Sequence, residues 1–255
     1  MCLIAWNWQP GSDSPLLLLA NRDEFYARPT AALHGWTDAR ILAGRDLQAG
    51  GTWLGVSRNG RLAALTNYRA PSMMRNDAPS RGELVSHFLR GDDSSSDYLR
   101  QLQGQAVQYN PFNLLVFDGL TLLGLQSRDA SIVAMAPGVG AVSNADFHTP
   151  WPKLSQLKTG LQDLLAQGHA SDAQLLALLQ DRSPAADIEL PATGVPLALE
   201  RALSAAFVAT PGYGTRACSV VRHEKDRIRF TEQRFDADGE AGTSVQSLHL
   251  PLLKL

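Results

Sequence analysis

Short apolar runs separated by turn-forming residues dominate the first half of the chain. Residues 3–8 and 16–21 flank a cluster of turn formers at 9–14, which predicts a β-hairpin. Three further pairs of runs repeat this arrangement around Asn-Gly, Asp-Gly and Pro-Gly turns: 52–57 with 61–67, 113–117 with 121–126, and 131–136 with 139–144. The pattern therefore predicts a series of antiparallel strand pairs.

Helical spacing appears between and after these strands. Ser80 and Glu83 have the spacing of a capping box ahead of an apolar helical face, and residues 153–167 carry a leucine stripe with a 3.6-residue period. Further helices are predicted at 98–107, 171–180 and 196–207, a surface loop at 184–196, and late strands at 216–223, 227–233 and 244–250. This order lacks the alternation of a parallel α/β sheet. We therefore expect one α+β domain over residues 1–255, with largely antiparallel sheets and helices on their outer faces.

Composition narrows the classes of partner. The chain has 255 residues with 23 Lys and Arg against 25 Asp and Glu, and this balance provides no strongly basic face for nucleic acid. The longest early apolar run, 16–20, is too short to span a bilayer, and no secretory or lipidation signal is visible. The six histidines lack metal-ligand spacing. We expect a cytoplasmic protein without nucleic-acid partners, stable membrane insertion or a metal site.

The position of one of the two cysteines is informative. Cys2 follows the initiator methionine, which is removed when the next residue is small, so the mature chain is expected to begin with a cysteine. Its free α-amine, with a pKa of about 8, can then act as the general base for its own thiol. The alternative is a small apolar residue that opens an edge strand. Cys218 is expected to be a packed thiol on the face of its strand that carries Arg216, close to Cys2.

A second candidate feature is a charged cluster directly after the apolar run 16–20. It consists of Asn21, Arg22, Asp23 and Glu24. Such charge at the end of a sheet is typical of active sites, although a solvated turn with internal ion pairs is the alternative. Residues 50–55 are glycine-rich but lack the spacing of a dinucleotide site, so Trp53 is expected to be a core residue at a tight strand entry.

Three polar residues at strand ends complete the candidates. Asn67 and Asn144 each end a strand-like run, and an asparagine amide is a suitable oxyanion donor, although asparagine is also a common turn residue. Arg216 begins a late strand, where its guanidinium could hold a carboxylate or orient a nucleophile.

Taken together, these segments resemble the NRDE family, also called the transport and Golgi organisation protein 2 family. The segments that carry the resemblance are Met1-Cys2, Asn21-Arg22-Asp23-Glu24-Phe25, 50–55, Leu65-Thr66-Asn67-Tyr68, 80–84, 109–114, 151–154 and Tyr213-Gly214-Thr215-Arg216. The resemblance implies a fold similar to the N-terminal nucleophile (Ntn) hydrolases, a four-layer αββα sandwich of two largely antiparallel sheets.

The resemblance also implies residue roles, because choloylglycine hydrolases and penicillin V acylases likewise start at a cysteine exposed by methionine removal. The catalytic set it implies is Cys2, Asp23, Asn67, Asn144 and Arg216. The expected ligand-binding set is Arg22, Asn21, Glu24, Trp53 and Tyr68. Those hydrolases carry an arginine where this chain has Ala20, and we expect Arg22 to replace it only from the opposite side of the strand.

Two functions follow as expectations. The first is a cysteine amidohydrolase that cleaves a linear amide or acyl ester through Cys2 and requires no cofactor. The alternative is a non-catalytic carrier of haem or of an amphipathic acyl-CoA-like or lipid-like ligand, as the family's links to haem trafficking and lipid metabolism imply. In that case aromatic residues would line the pocket: Trp6, Trp8, Trp36, Trp53, Phe25 and Tyr26. Arginines would pair with propionates or phosphates: Arg22, Arg28, Arg69 and Arg216.

Overall fold

The computed structural model describes residues 2–168 and 170–250, so Met1 and its expected removal lie outside the described residues. Within them, the strands in chain order are β1 (Cys2–Trp8), β2 (Leu16–Phe25), β3 (Thr30–Gly35), β4 (Ile41–Asp46), β5 (Leu54–Ser57), β6 (Leu62–Asn67), β7 (Phe112–Phe117), β8 (Leu122–Gln126), β9 (Ser131–Ala134), β10 (Gly138–Val142), β11 (Ala209–Thr210), β12 (Tyr213–His223), β13 (Arg227–Asp236) and β14 (Gly239–His249). The α-helices are α1 (Gly82–Arg90), α2 (Ser95–Gln103), α3 (Pro152–Ala166), α4 (Asp172–Leu179) and α5 (Leu197–Ala202).

The strands form two seven-stranded sheets. The first has the order β10-β1-β2-β12-β13-β14, with the short β11 beside β12, and the second runs β3 to β9 in sequence. Every pairing in both sheets is antiparallel. The second sheet is a meander, as expected for consecutive hairpins, whereas the first is assembled from distant parts of the chain.

Three apolar layers hold the sheets and helices together. The central layer lies between the two sheets and includes Trp6, Trp53 and Phe230. A second layer, which includes Leu161, joins the first sheet to α3 and α4, and a third, which includes Phe88, joins the second sheet to α1 and α2. The order of layers is therefore helix, sheet, sheet, helix, which confirms the predicted α+β sandwich.

Three of the four predicted hairpins are confirmed. β1 pairs with β2, β5 with β6, and β7 with β8. The fourth prediction, a hairpin of 131–136 with 139–144, is wrong. β9 is the edge strand of the second sheet, whereas β10 crosses to the first sheet and pairs with β1, so the Pro-Gly turn links two sheets. This crossover places the residues that follow β10 next to the beginning of β1.

The predicted capping box at the start of α1 is also wrong. Arg81 is the N-cap residue of this helix and provides no side-chain cap, and the Glu83 carboxylate accepts a hydrogen bond from Tyr109 Oη at 2.6 Å. The helix starts where Gly51 and Gly82 allow two backbone segments to touch, because a Cβ on Gly51 would lie 2.5 Å from the Gly82 carbonyl carbon. The close contact brings the residues before α1 to the same end of the sheets as Cys2.

Candidate active site

Cys2 lies where both sheets end. It opens β1, faces Arg22 on β2, and is 6% exposed. On the other side of β1, β10 ends at Val142, which pairs with Ile4, so the next residues of the chain, including Asn144, reach Cys2. Strand β6 of the second sheet ends at Asn67 at the same edge. Four separate segments therefore converge on one cysteine.

These segments border a cleft of about 350 Å³. The side chains that line it are mostly polar and charged, and they include Cys2, Asp23, Glu24 and Asn67. The Asn67 side-chain amide makes no hydrogen bond to any described residue, so it is available to a ligand in the cleft. The volume of the cleft is within the range of small-ligand sites in proteins.

Asn144 holds Cys2 and Asn67 together. Its Nδ2 donates to the carbonyl oxygen of Cys2 at 3.2 Å and to that of Asn67 at 2.9 Å. Both amide hydrogens are therefore used, and Asn144 is fully buried. The sequence led us to expect that Asn144 donates to an oxyanion, but its amide hydrogens go to the backbone carbonyls of Cys2 and Asn67 and hold these two residues together.

Asp23 and the Cys2 thiol share a desolvated environment. Asp23 is 2% exposed, and Thr215 Oγ1 donates to its Oδ1 at 2.7 Å. Burial raises the pKa of the Cys2 thiol above its ordinary value; the Asp23 carboxylate raises it further and Arg22 opposes this. The thiol is therefore protonated at neutral pH, and a base must remove its proton before it can attack.

Lys153 is the group in this region that sequence analysis missed. It lies in the first turn of α3, is 1% exposed, and its Nζ donates to Asn144 Oδ1 at 3.2 Å. Burial lowers its pKa from 10.5 to about 8, against the opposing effect of Asp23. A cation in the first turn of a helix opposes the helix dipole. A lysine directly after the helix-starting Pro152 is therefore unusual, and this is the sequence signal that could have identified Lys153.

Three arginines contribute charge to the cleft. Arg22 lies 4.9 Å from the centre of the Trp53 ring and within 3.8 Å of Glu24. Arg28 pairs with Asp46 at 2.7 Å. Arg81, which sequence analysis also missed, donates to the carbonyl oxygen of Pro111 at 3.0 Å, and no carboxylate of the described residues lies within 4.0 Å of it. Asp23, Glu24 and Asp46 also line the cleft, so three carboxylates balance the three arginines.

Besides Asn144, three of the residues assigned from the sequence do not line the cleft. Asn21 points to the helix side of its sheet and donates to the carbonyl oxygens of Leu179 and Ala206. Tyr68 lies under the guanidinium of Arg128. Arg216 donates to the carbonyl oxygens of the turn after β2: Phe25 at 2.9 Å, Tyr26 at 3.0 Å and Arg28 at 3.2 Å. Its guanidinium therefore holds that turn instead of reaching Cys2.

Strand alternation corrects two further expectations. Ala20 and Arg22 are two residues apart and lie on the same face, because Ala20 belongs to the layer between the sheets and Arg22 packs on Trp53 of that layer. Arg22 can thus occupy the space beside Cys2. A β-bulge at Arg216 shifts the alternation in β12, so Cys218 lies in the core layer under α3 and α4, on the opposite face from the cleft.

Most of the predicted aromatic lining is elsewhere. Trp6 and Trp36 are core residues, and Phe25 is exposed and stacks on Tyr213, which leaves Trp53 as the member of the predicted set that lines the cleft. Arg69, proposed for anionic groups, forms a buried ion pair with Glu200 at 2.6 Å.

Within residues 2–168 and 170–250, no helix has the length and apolar character needed to cross a bilayer, and no three metal-ligating side chains form a cluster.

Comparison with known proteins decides the family. The model of the family described as Transport and Golgi organisation 2 matches residues 1–237. The Bos taurus Transport and Golgi organization protein 2 homolog is 38% identical over 91% of this chain and 92% of its own length, and the Homo sapiens homolog is 35% identical with the same coverage. The chain belongs to the Transport and Golgi organisation 2 family.

A solved structure identifies the fold of this family member. The C2A mutant of a conjugated bile acid hydrolase from Clostridium perfringens superposes with a TM-score of 0.54 at 9% identity, over 98% of this chain and 92% of the hydrolase. At that identity the likeness concerns the fold alone. The fold is that of the Ntn hydrolases, which confirms the αββα prediction.

Proposed function

We propose that this member of the Transport and Golgi organisation 2 family is a cysteine hydrolase that cleaves a linear amide or an acyl ester. The observation that supports it most directly is the convergence of the Cys2 thiol and the unengaged Asn67 amide on one polar cleft. A nucleophile and an oxyanion donor on the same cavity are the two parts that acyl transfer needs.

In the proposed reaction, removal of Met1 frees the α-amine of Cys2, which takes the thiol proton. The thiolate Sγ adds to the substrate carbonyl carbon, and Asn67 Nδ2 donates to the oxygen on which negative charge develops. The carbon–nitrogen or carbon–oxygen bond then breaks, and the leaving group takes the proton from the α-ammonium. Water hydrolyses the thioester, which releases the acid and restores the thiol.

The environment of Cys2 suits this use of an internal base. Burial raises the pKa of the thiol, so the resting group is neutral and a neighbouring base has to take its proton. The Asp23 carboxylate, held by Thr215, acts electrostatically on Cys2 and would favour the ammonium form of a neighbouring amine.

Turnover of p-nitrophenyl butyrate and a panel of N-acyl amides tests the proposal. Cys2→Ala is expected to abolish turnover, whereas Cys218→Ala, a matched control in the helix-side core, is expected to retain it. Full activity in Cys2→Ala would refute the proposed nucleophile.

Binding of haem or an acyl-CoA-like ligand is the alternative. Haem iron in proteins takes His, Cys, Met or Tyr as axial ligand. The described lining of the cleft provides Cys2 but no His, Met or Tyr, and its polar character suits a small polar ligand better than an amphipathic one. These features favour hydrolysis over the carrier function.

A further inference from the structure

The Lys153 ammonium is an unusual feature of this site. It is 1% exposed, and no carboxylate of the described residues lies within 4.0 Å of it, although salt bridges are the common way to keep a buried cation. Its hydrogen bond is to Asn144 Oδ1 at 3.2 Å. A buried cation whose hydrogen bond goes to a neutral amide beside a polar cleft is a candidate for a functional role.

The hydrogen bonds around Asn144 determine its orientation. An ammonium can only donate, and the carbonyl oxygens of Cys2 and Asn67 can only accept. Oδ1 must therefore face Lys153, and Nδ2 must face the two carbonyl oxygens, to which it donates at 3.2 Å and 2.9 Å. Ser143 Oγ donates to the same Oδ1 at 3.3 Å. A flipped amide would place its NH₂ against the ammonium and its oxygen against two carbonyl oxygens.

Asn144 in turn joins the two sheets at the site. Its amide bridges the first residue of β1 and the last residue of β6, which provide the thiol and the free amide of the cleft. The backbone N–H of Arg69 donates to the Asn144 carbonyl oxygen at 2.7 Å, so the main chain of Asn144 is fixed as well. If the Asn144 side chain lost this orientation, its hydrogen bonds would no longer fix the distance between Cys2 and Asn67.

We propose that Lys153 is a positioning residue for the reaction: through Asn144 it keeps the Cys2 nucleophile and the Asn67 amide in register across the two sheets. The kinetic consequence of this inference rests on the proposed hydrolase function. The positioning of Asn144 by Lys153 does not depend on that function. A displacement of about 1 Å at a reacting centre costs on the order of 100-fold in rate.

The charge of Lys153 matters because a neutral amine can also accept a hydrogen bond and would no longer reinforce the orientation that the two carbonyl oxygens favour for Asn144. The charged groups that act on Lys153 come from every element around it: Asp23 on β2, Cys2 on β1, Arg69 after β6 and Glu200 on α5. Burial lowers the pKa of Lys153 to about 8, so Lys153 loses its charge and holds Asn144 less firmly as the pH rises through that value.

Kinetics of p-nitrophenyl butyrate hydrolysis by the full chain tests the consequence. Lys153→Met is expected to lower kcat about 100-fold with little change in KM. Lys153→Arg, which stays a cation that only donates, should recover activity to at least about tenfold above the Met variant and remove an alkaline decline near pH 8. Lys158→Met on the same helix is the control and should match the wild type. Equal kcat in the wild type and Lys153→Met would overturn the proposal.

Nuclear magnetic resonance of the Asn144 side-chain amide tests the positioning without turnover. Its two hydrogens should be protected from exchange in the wild type and lose protection in Lys153→Met. If protection is lost in a protein that hydrolyses nothing, the positioning stands and the hydrolase function fails. If protection is unchanged in the variant, the positioning role is wrong whatever the kinetics.

Discussion

The stability of a Lys153→Met variant provides a quantitative check on the buried cation. Burial lowers the pKa of Lys153 from 10.5 to about 8. One pKa unit corresponds to about 1.4 kcal/mol, so holding the ammonium in the fold at pH 7 costs about 3 kcal/mol. Between about pH 8 and 10.5 the unfolded lysine binds a proton that the folded one has released. For this group, stability therefore rises with pH across that window.

Methionine has a similar length without the charge, so Lys153→Met removes this cost. It also removes the charged hydrogen bond to Asn144, which is worth about 1.5–3 kcal/mol. The variant is therefore expected to be at least as stable as the wild type at pH 7, by up to about 1.5 kcal/mol, even though its activity falls.

Urea denaturation followed by tryptophan fluorescence at pH 7 and pH 9.5 measures the stability gain of the variant and its dependence on pH. The gain from Lys153→Met should be present at pH 7 and smaller at pH 9.5, and Lys158→Met should show neither effect. A Lys153→Met protein that is less stable than the wild type at pH 7 would refute the reasoning, because burial of the cation would then carry no net cost.

Three further predictions concern other buried polar groups. Asn67→Ala should lower kcat for p-nitrophenyl butyrate about 100-fold with a small change in KM, and an unchanged kcat would remove it from the oxyanion site. Arg69→Met should cost about 3–5 kcal/mol in urea denaturation because it leaves Glu200 unpaired, and adding Glu200→Gln should restore much of the loss. Burial raises the pKa of Glu232, so folding favours its protonated form and its ionisation weakens the fold as the pH rises. Glu232→Gln, which can still accept from the Leu33 N–H, should therefore raise the melting temperature at pH 7 and leave it unchanged at pH 4. If the variant and the wild type melt at the same temperature at both pH values, this explanation is wrong.

Local sequence signals account for the parts of the fold that could be predicted. An Asn-Gly turn determines the β5–β6 hairpin within a few residues of the chain, and such hairpins together with the leucine stripe of α3 predict antiparallel sheets with outer helices. The αββα order of the layers was implied by the resemblance to the family. The β9–β10 prediction failed because its partners are non-local: β10 pairs with β1, about 130 residues earlier in the chain. Strands β3 and β4 were missed because the turn between them contains neither glycine nor proline.

The candidate site was predictable where motif residues share a strand face. Cys2, Arg22 and Glu24 converge because they occupy one face of a β-hairpin, whereas Asn21 alternates to the other face. Arg216 departs from its expected role because a β-bulge turns its side chain toward the turn after β2. Lys153 was missed because its contact with Asn144 depends on how α3 packs against β10, and helical periodicity alone does not specify that packing.

Peptide-mapping mass spectrometry of the protein after brief incubation with p-nitrophenyl butyrate tests the central claim most directly. The account predicts an N-terminal peptide that begins at Cys2 and carries one butyryl group, which disappears on further incubation. An active protein that retains Met1, or in which the butyryl group is found on another residue while Cys2 stays unmodified, would contradict it.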